Sequence, residues 1–170
     1  MTTHHKLDEG PYGAAIEIHR DGDVVNSPDD ASVSLWVSTA LSDWSRPEVL
    51  VPELPVVGIR ITGESEARAL NHHWRGRDYP TNVLSFPSEV AGFLGDIALC
   101  APVIEQEAKT HKKSSQAHWA HLVIHGVLHL RGHDHETKAS ANVMERQEIE
   151  KLQTLGFDNP YVMEEGTVDK

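Results

Sequence analysis

Seven of the chain's twelve histidines fall between His111 and His135, and three of the seven are spaced as metal ligands. The segment reads His125-Gly-Val-Leu-His129-Leu-Arg-Gly132-His133-Asp134-His135. On a helix, residues four apart are offset by about 40° and lie one turn apart, so His125 and His129 can point into the same space. Gly132 can take a left-handed backbone conformation and end the helix. The chain can then fold back and bring His135 to the same point. Three imidazoles held this way suit zinc and leave its fourth position to water, the pattern of a catalytic site. Nickel, copper and iron also accept three imidazoles. His133 is a rival third ligand, but it lies nearer the helix end and points differently, which favours His135. A histidine pair four apart is common in ordinary helices; the glycine and the third histidine supply the specificity.

The spacing resembles the zinc metalloprotease pattern, with one departure. Those enzymes place a glutamate directly after the first histidine as general base. Here that residue is Gly126, which has no side chain to take a proton.

Other residues can serve a polar cleft. His118 and His121 lie on the same side of the helix as the two metal histidines. Either could orient a ligand or touch substrate, and for His121 a polar helix start is the favoured reading. Arg75 ends a predicted helix. Its guanidinium offers a two-pronged donor set for phosphate, although an arginine there also answers the helix dipole. Lys109, Lys112 and Lys113 precede the metal helix and could hold backbone phosphates, with a solvated helix face favoured for Lys109. Trp74, Tyr79, Phe86 and Trp119 could stack on bases, with core positions favoured for Phe86 and Trp119.

The elements that must position these residues follow from periodicity and punctuation. Ala14 to Arg20 alternates as a strand. Ser27 is a candidate N-cap, with Pro28 at the first helical position and Asp29 and Asp30 at the positive helix end. Val33, Trp36, Val37, Ala40 and Leu41 form one apolar face of that helix. Residues 46–55 hold three prolines and form a connector. Val56 to Thr62 reads as a strand, and Glu64 to Arg75 as a helix stopped by Gly76. Asn82 to Phe86 and Leu94 to Cys100 read as strands. Helices follow near Pro102, from Ser114 or Ser115 to about Leu130, and from Lys138 to Leu155. The order predicts one α+β domain: a small mixed four-stranded sheet packed with about five helices, with the metal cleft on one side. Residues 1–13 read as a loose N-terminal segment, 14–160 as the domain and 161–170 as an acidic tail.

The 170 residues can bury a core without staples. One cysteine, Cys100, excludes an intramolecular disulfide and fits a reducing compartment. The N-terminus lacks a secretory signal pattern and no apolar run approaches a membrane span, so a cytoplasmic protein with no membrane contact is expected. The net charge of −11 argues against a nonspecific nucleic-acid coat protein. It is unevenly spread. Residues 1–30 carry 2 basic and 7 acidic groups, and residues 145–170 carry 3 and 7, whereas residues 67–135 carry 7 and 6 together with nine histidines. A small cationic cleft can therefore coexist with acidic ends.

The segment His125 to His135 resembles the signature of the YbeY family of single-strand-specific endoribonucleases, which act in ribosomal RNA maturation. Leu70 to Asp78 followed by Pro80-Thr-Asn-Val-Leu-Ser-Phe-Pro87 is similar to a second family motif. Leu94-Gly-Asp96-Ile97 with Cys100 is similar to a third. His118-Trp-Ala-His121 leads into the metal motif in the same way, and the resemblance covers about residues 56–160. It implies an α+β fold with a four-stranded sheet and one metal, taken as Zn2+, held by His125, His129 and His135. It implies that Arg75 is the functional arginine facing that cleft, and that Asp96 lies where the family has a functionally implicated acid. The expected function is metal-dependent endoribonuclease action on single-stranded RNA in 16S and other ribosomal RNA maturation and in ribosome quality control, with the ribosome or small-subunit proteins as partners. Arg75 and His125 are then the catalytic residues, with Asp96, His118, Lys112 and Lys113 as further substrate or supporting groups. Arg75 would stabilise charge developing on the phosphate. Attack by metal-activated water and attack by the RNA's own 2′-hydroxyl both remain open. The alternatives are a metallopeptidase-like hydrolase and a non-catalytic ribosome assembly factor with a structural metal.

Overall fold

A computed structural model describes residues 8–9, 14–44 and 55–162. In chain order these form β1 (Asp8–Glu9), β2 (Ala15–Arg20), α1 (Asp30–Ala40), β3 (Val56–Thr62), α2 (Glu64–Arg75), β4 (Val83–Pro87), β5 (Phe93–Cys100), α3 (Ala101–Thr110), α4 (Ser115–Leu130) and α5 (Lys138–Thr154). The four expected strands and five expected helices are all present. A two-residue strand, β1, pairs antiparallel with the start of β2 inside the segment read as loose. The rest of that segment, most of the 46–55 connector and residues 163–170 of the tail lie outside the described residues.

The strand order is β1-β2-β3-β5-β4. The β2–β3 and β3–β5 pairs are parallel, and β4 closes the edge antiparallel to β5. Register sets up two rows that matter for function. Ile18, Ile59, Ile97 and Ser85 lie side by side across the sheet, while Glu17, Gly58, Asp96 and Phe86 form the neighbouring row. Successive residues of a strand point to opposite faces, so the second row faces away from the first.

The first face is the core face. Ile16, Val57, Ile59, Ile61, Ile97 and Leu99 are buried there, joined by Val33, Trp36, Val37 and Ala40 of α1. That is the apolar face expected for α1, but the helix starts later than its punctuation suggested. Asp29, not Ser27, caps it by accepting from the Ser32 amide at 2.8 Å. Ser27 is engaged elsewhere, accepting from Arg20 Nε at 2.9 Å, while the same guanidinium reaches the Pro28 carbonyl and Asp30.

The central element is α4. It touches α1, α3, α5, β4 and β5, and Trp119, Val123, Ile124, Val127 and Leu128 are fully buried. Gly126 is what lets it lie close to the sheet. A Cβ there would stand 2.9 Å from Ile97 Cγ2 and 3.3 Å from Ser85 Oγ, and the Ser85 hydroxyl donates to the Gly126 carbonyl at 3.2 Å.

Candidate metal centre

Ser114 caps α4 by accepting from the Ala117 amide at 3.1 Å. The helix then runs unbroken through His125 and His129 and stops where Gly132 takes φ 97°. The Gly132 amide donates to the His129 carbonyl and the His133 amide to the Leu128 carbonyl, both at 3.0 Å. Five residues later α5 begins with a reciprocal cap between Thr137 and Ser140. The turn between the two helices is thus fixed at both ends, and it carries His135 back to α4. One ligand nitrogen each from His125, His129 and His135 falls within 4.8 Å of the others. The ring centroids are 4.6 Å apart for His125–His129, 5.1 Å for His129–His135 and 5.7 Å for His125–His135. His133 does not join this group.

The donor set is chemically suited to a divalent transition metal. Burial, reinforced by the neighbouring His125 and His135 rings, brings His129 down to about 4, so it is a neutral imidazole at pH 7. His125 has its Nδ1 2.7 Å from Oε1 of Glu148, and Glu148 is only 1% exposed. Burial alone would raise that carboxyl, but hydrogen bonds from His121 and His125 outweigh it and bring it down to about 2. An ionised carboxylate only accepts, so His125 Nδ1 carries a proton and the ring turns its Nε2 away from Glu148. That Nε2 lies 3.1 Å from Nε2 of His129, two ligand atoms converging on one point.

Glu148 escaped the sequence reading. It lies in α5 on the stripe formed by the buried residues Met144, Glu148, Lys151 and Leu152. A carboxylate on an otherwise inward-facing stripe was the available signal. Its Oε2 accepts from His121 Nε2 at 2.6 Å and from the Tyr161 hydroxyl.

Arg75 reaches the histidines from a different part of the chain. A cleft of about 290 Å³ is lined by Arg75, His125, His129 and His135 together with Thr81, Asn82, Val83, Ser85 and Pro87. The last turn of α2 and strand β4 thus form one wall, and α4 with the following turn forms the other. No carboxylate lines this cleft among the described residues.

The remaining predicted site residues lie elsewhere. Asp96 belongs to the sheet row facing away from α4 and does not line the cleft; burial, then the nearby Glu17, push its carboxyl upward. Lys112, Lys113, His118 and His121 border a second, larger groove of about 1080 Å³ closed by residues 156–162. There Lys113 Nζ donates to the Pro160 carbonyl at 2.9 Å. His118 is 6% exposed and its Nε2 lies 3.3 Å from Glu107. Trp119 is fully buried, as expected, and donates its indole N–H to Glu105 at 2.8 Å.

The sequence model described as Endoribonuclease YbeY matches residues 20–156. The chain belongs to the YbeY family of endoribonucleases. An Endoribonuclease YbeY of Methylococcus capsulatus (strain Bath) is 47% identical over 139 residues, which cover 79% of this chain and 87% of its own. One from Pseudomonas putida (strain W619) is 44% identical over 156 residues, covering 88% and 94%. The YbeY match contains all four residues of the arginine–histidine cleft and Glu148, whereas Tyr161 lies beyond it. Among the described residues of this YbeY-family chain, no helix is long and apolar enough to cross a membrane.

Proposed function

We propose that the protein is a metal-dependent, single-strand-specific endoribonuclease of ribosomal RNA maturation and ribosome quality control. It would work in the cytoplasm with ribosomal partners, through a catalytic domain spanning residues 14–160. The observation that carries this reading is the cleft itself, in which Arg75 faces the same space as His125, His129 and His135. Those three histidines would hold one Zn2+, which when bound supplies Lewis-acid polarisation of a phosphate oxygen and a more acidic water.

The chain's own groups supply the rest. Arg75 makes no side-chain hydrogen bond or ion pair among the described residues, so its donors are available to the two non-bridging oxygens of a phosphodiester. Placed there, it offsets the charge that builds on phosphorus oxygens as the bond breaks. With no carboxylate in the lining, the titratable groups facing the substrate are the three imidazoles and the guanidinium alone. A peptidase built on the same histidines would need a carboxylate base, and the close seat of Gly126 on Ile97 leaves no room for a glutamate at its usual place. This favours phosphodiester chemistry over peptide hydrolysis.

Preference for single strands fits a cleft of this size, which admits a splayed-out backbone more readily than a duplex. Trp74 and Tyr79, both more than half or about half exposed, stand beside Arg75 in sequence and offer faces for unstacked bases. Lys112, Lys113 and His118 would meet the strand only along the second groove, away from the scissile bond.

The deciding experiment compares matched single- and double-stranded RNAs with zinc-loaded protein and its His129→Ala variant. Cleavage of the single strand alone, lost in a folded variant, is expected. Undiminished cleavage by that variant would sink the reading.

A further inference from the structure

We infer that Glu148 is a positioning residue for the metal centre, and that Tyr161 and His121 hold it in that task. The inference rests on the reading of His125, His129 and His135 as metal ligands.

A histidine has two nitrogens, and which one faces a metal depends on what the other is bonded to. For His125 the choice is made by Glu148. The carboxylate meets Nδ1 at 2.7 Å, so the proton stays on Nδ1 and Nε2 is turned toward His129 and the cleft. His129 has only a backbone contact of this kind, to His133, and no carboxylate partner is found for His129 or His135 among the described residues. His125 is therefore the ligand whose ring orientation and basicity are set by a buried carboxylate.

A buried carboxylate can do this only if it is itself immobilised and its lone pairs are used. The structure provides three donors. Oε1 takes His125, and Oε2 takes His121 Nε2 and the Tyr161 hydroxyl. Tyr161 also stands edge-on to His121, with ring centroids 5.5 Å apart and planes at 84°. The carboxylate is thus clamped between α4 and the segment after α5.

Tyr161 reaches the site from the segment after α5. It lies beyond residues 20–156, where the family match ends. Residues 156–162 fold back over α4 as the wall of the larger groove, and the phenol is what that segment contributes to the metal side. The support for His125 therefore comes partly from outside the region the chain shares with the family model.

The test measures Zn2+ affinity by competition with a chromophoric chelator for the wild-type chain, Glu148→Gln and Tyr161→Phe. The tautomer of His125 is followed in parallel by imidazole 15N shifts of the metal-free proteins. Loss of an outer partner of a ligating histidine typically weakens metal binding about 10–100-fold. Glu148→Gln is expected in that range, with His125 no longer confined to the Nδ1–H form. Tyr161→Phe is expected to weaken binding several-fold while leaving secondary structure unchanged, and so serves if Glu148→Gln does not fold. Zinc affinity within twofold of wild type in either folded variant, or an unchanged His125 tautomer in Glu148→Gln, overturns the inference. Failure of the wild-type chain to bind zinc would instead overturn the metal-centre reading beneath it. Neither readout depends on RNA cleavage.

Discussion

A Cβ atom on Gly126 would stand 2.9 Å from Cγ2 of Ile97, with Ile97 Cδ1 at 3.1 Å behind it. The helix that carries His125 and His129 is seated on the sheet through this contact. Gly126→Ala should therefore destabilise the protein even though alanine is the better helix former. Overpacking a tight core costs typically 1–3 kcal/mol, and the gain in helix propensity returns roughly 1 kcal/mol. A net loss of about 1 kcal/mol in urea unfolding is expected. A stabilised variant would mean that the seat is looser than the structure shows.

Gly132 is constrained in the opposite way. Nothing lies within 4 Å of a Cβ built there, but its φ of 97° disfavours any side chain. Gly132→Ala should cost about 1–2 kcal/mol through the backbone alone. Because this turn carries His135 to the other two ligands, zinc affinity should fall as well. Chelator competition on the folded variant checks this, and unchanged affinity would show that His135 does not depend on the turn.

Arg75 separates activity from stability. It is exposed and has no side-chain partner among the described residues, so Arg75→Ala should change unfolding free energy by less than about 0.5 kcal/mol. Removing a charge-stabilising group at a transition state commonly lowers kcat by about 10²–10³, and a loss of that order is expected in single-stranded RNA cleavage. Arg75→Lys should recover only part of it, since an ammonium cannot present two parallel donors. Full activity in Arg75→Ala would remove the arginine from the mechanism.

Two groups at the centre give the metal-free protein the same slope with pH. His129 binds its proton at about 4 when folded, against 6.5 for a free histidine. Between those values the unfolded chain holds more protons, so stability falls as pH drops from 6.5 toward 4. Glu148 lies at about 2 when folded, against 4.5. Its contribution is complete above 4.5 and is lost as pH falls toward 2. Urea unfolding of the metal-free protein at pH 7.5, 5.5, 4.5 and 3 should show decreasing stability; a flat profile from pH 7.5 to 4.5 would contradict the His129 assignment, and a flat profile from 4.5 to 3 the Glu148 assignment.

Much of this was legible in the sequence because the governing signals are local. The i, i+4 histidine pair, the glycine that ends α4 and the stop at Gly76 each act within a turn or two, and the structure shows them at the expected residues. The start of α1 lies two residues beyond the one that a Ser27 cap suggests, because Arg20 of the preceding strand engages the Ser27 hydroxyl. The strand β1 has only two residues, Asp8 and Glu9, too few to alternate. Motif proximity also says nothing about which face a strand residue takes. Asp96 neighbours Ile97 in the chain, yet pleating turns it to the other side of the sheet. Glu148 was missed because its partners, His125 and Tyr161, lie on different elements that only tertiary packing brings together.

The sheet order has a further consequence for when the protein becomes active. Both parallel pairings join strands separated by a helix or more, β2 to β3 and β3 to β5. The cleft draws on residues 75–87 from one side and 125–135 from the other, and its carboxylate clamp waits for residues 148 and 161. A chain truncated before residue 135 lacks the complete cleft, and one truncated before residue 161 lacks the clamp. Long-range closures of this kind come late in folding, so the cleft is expected to assemble only after synthesis has passed these residues.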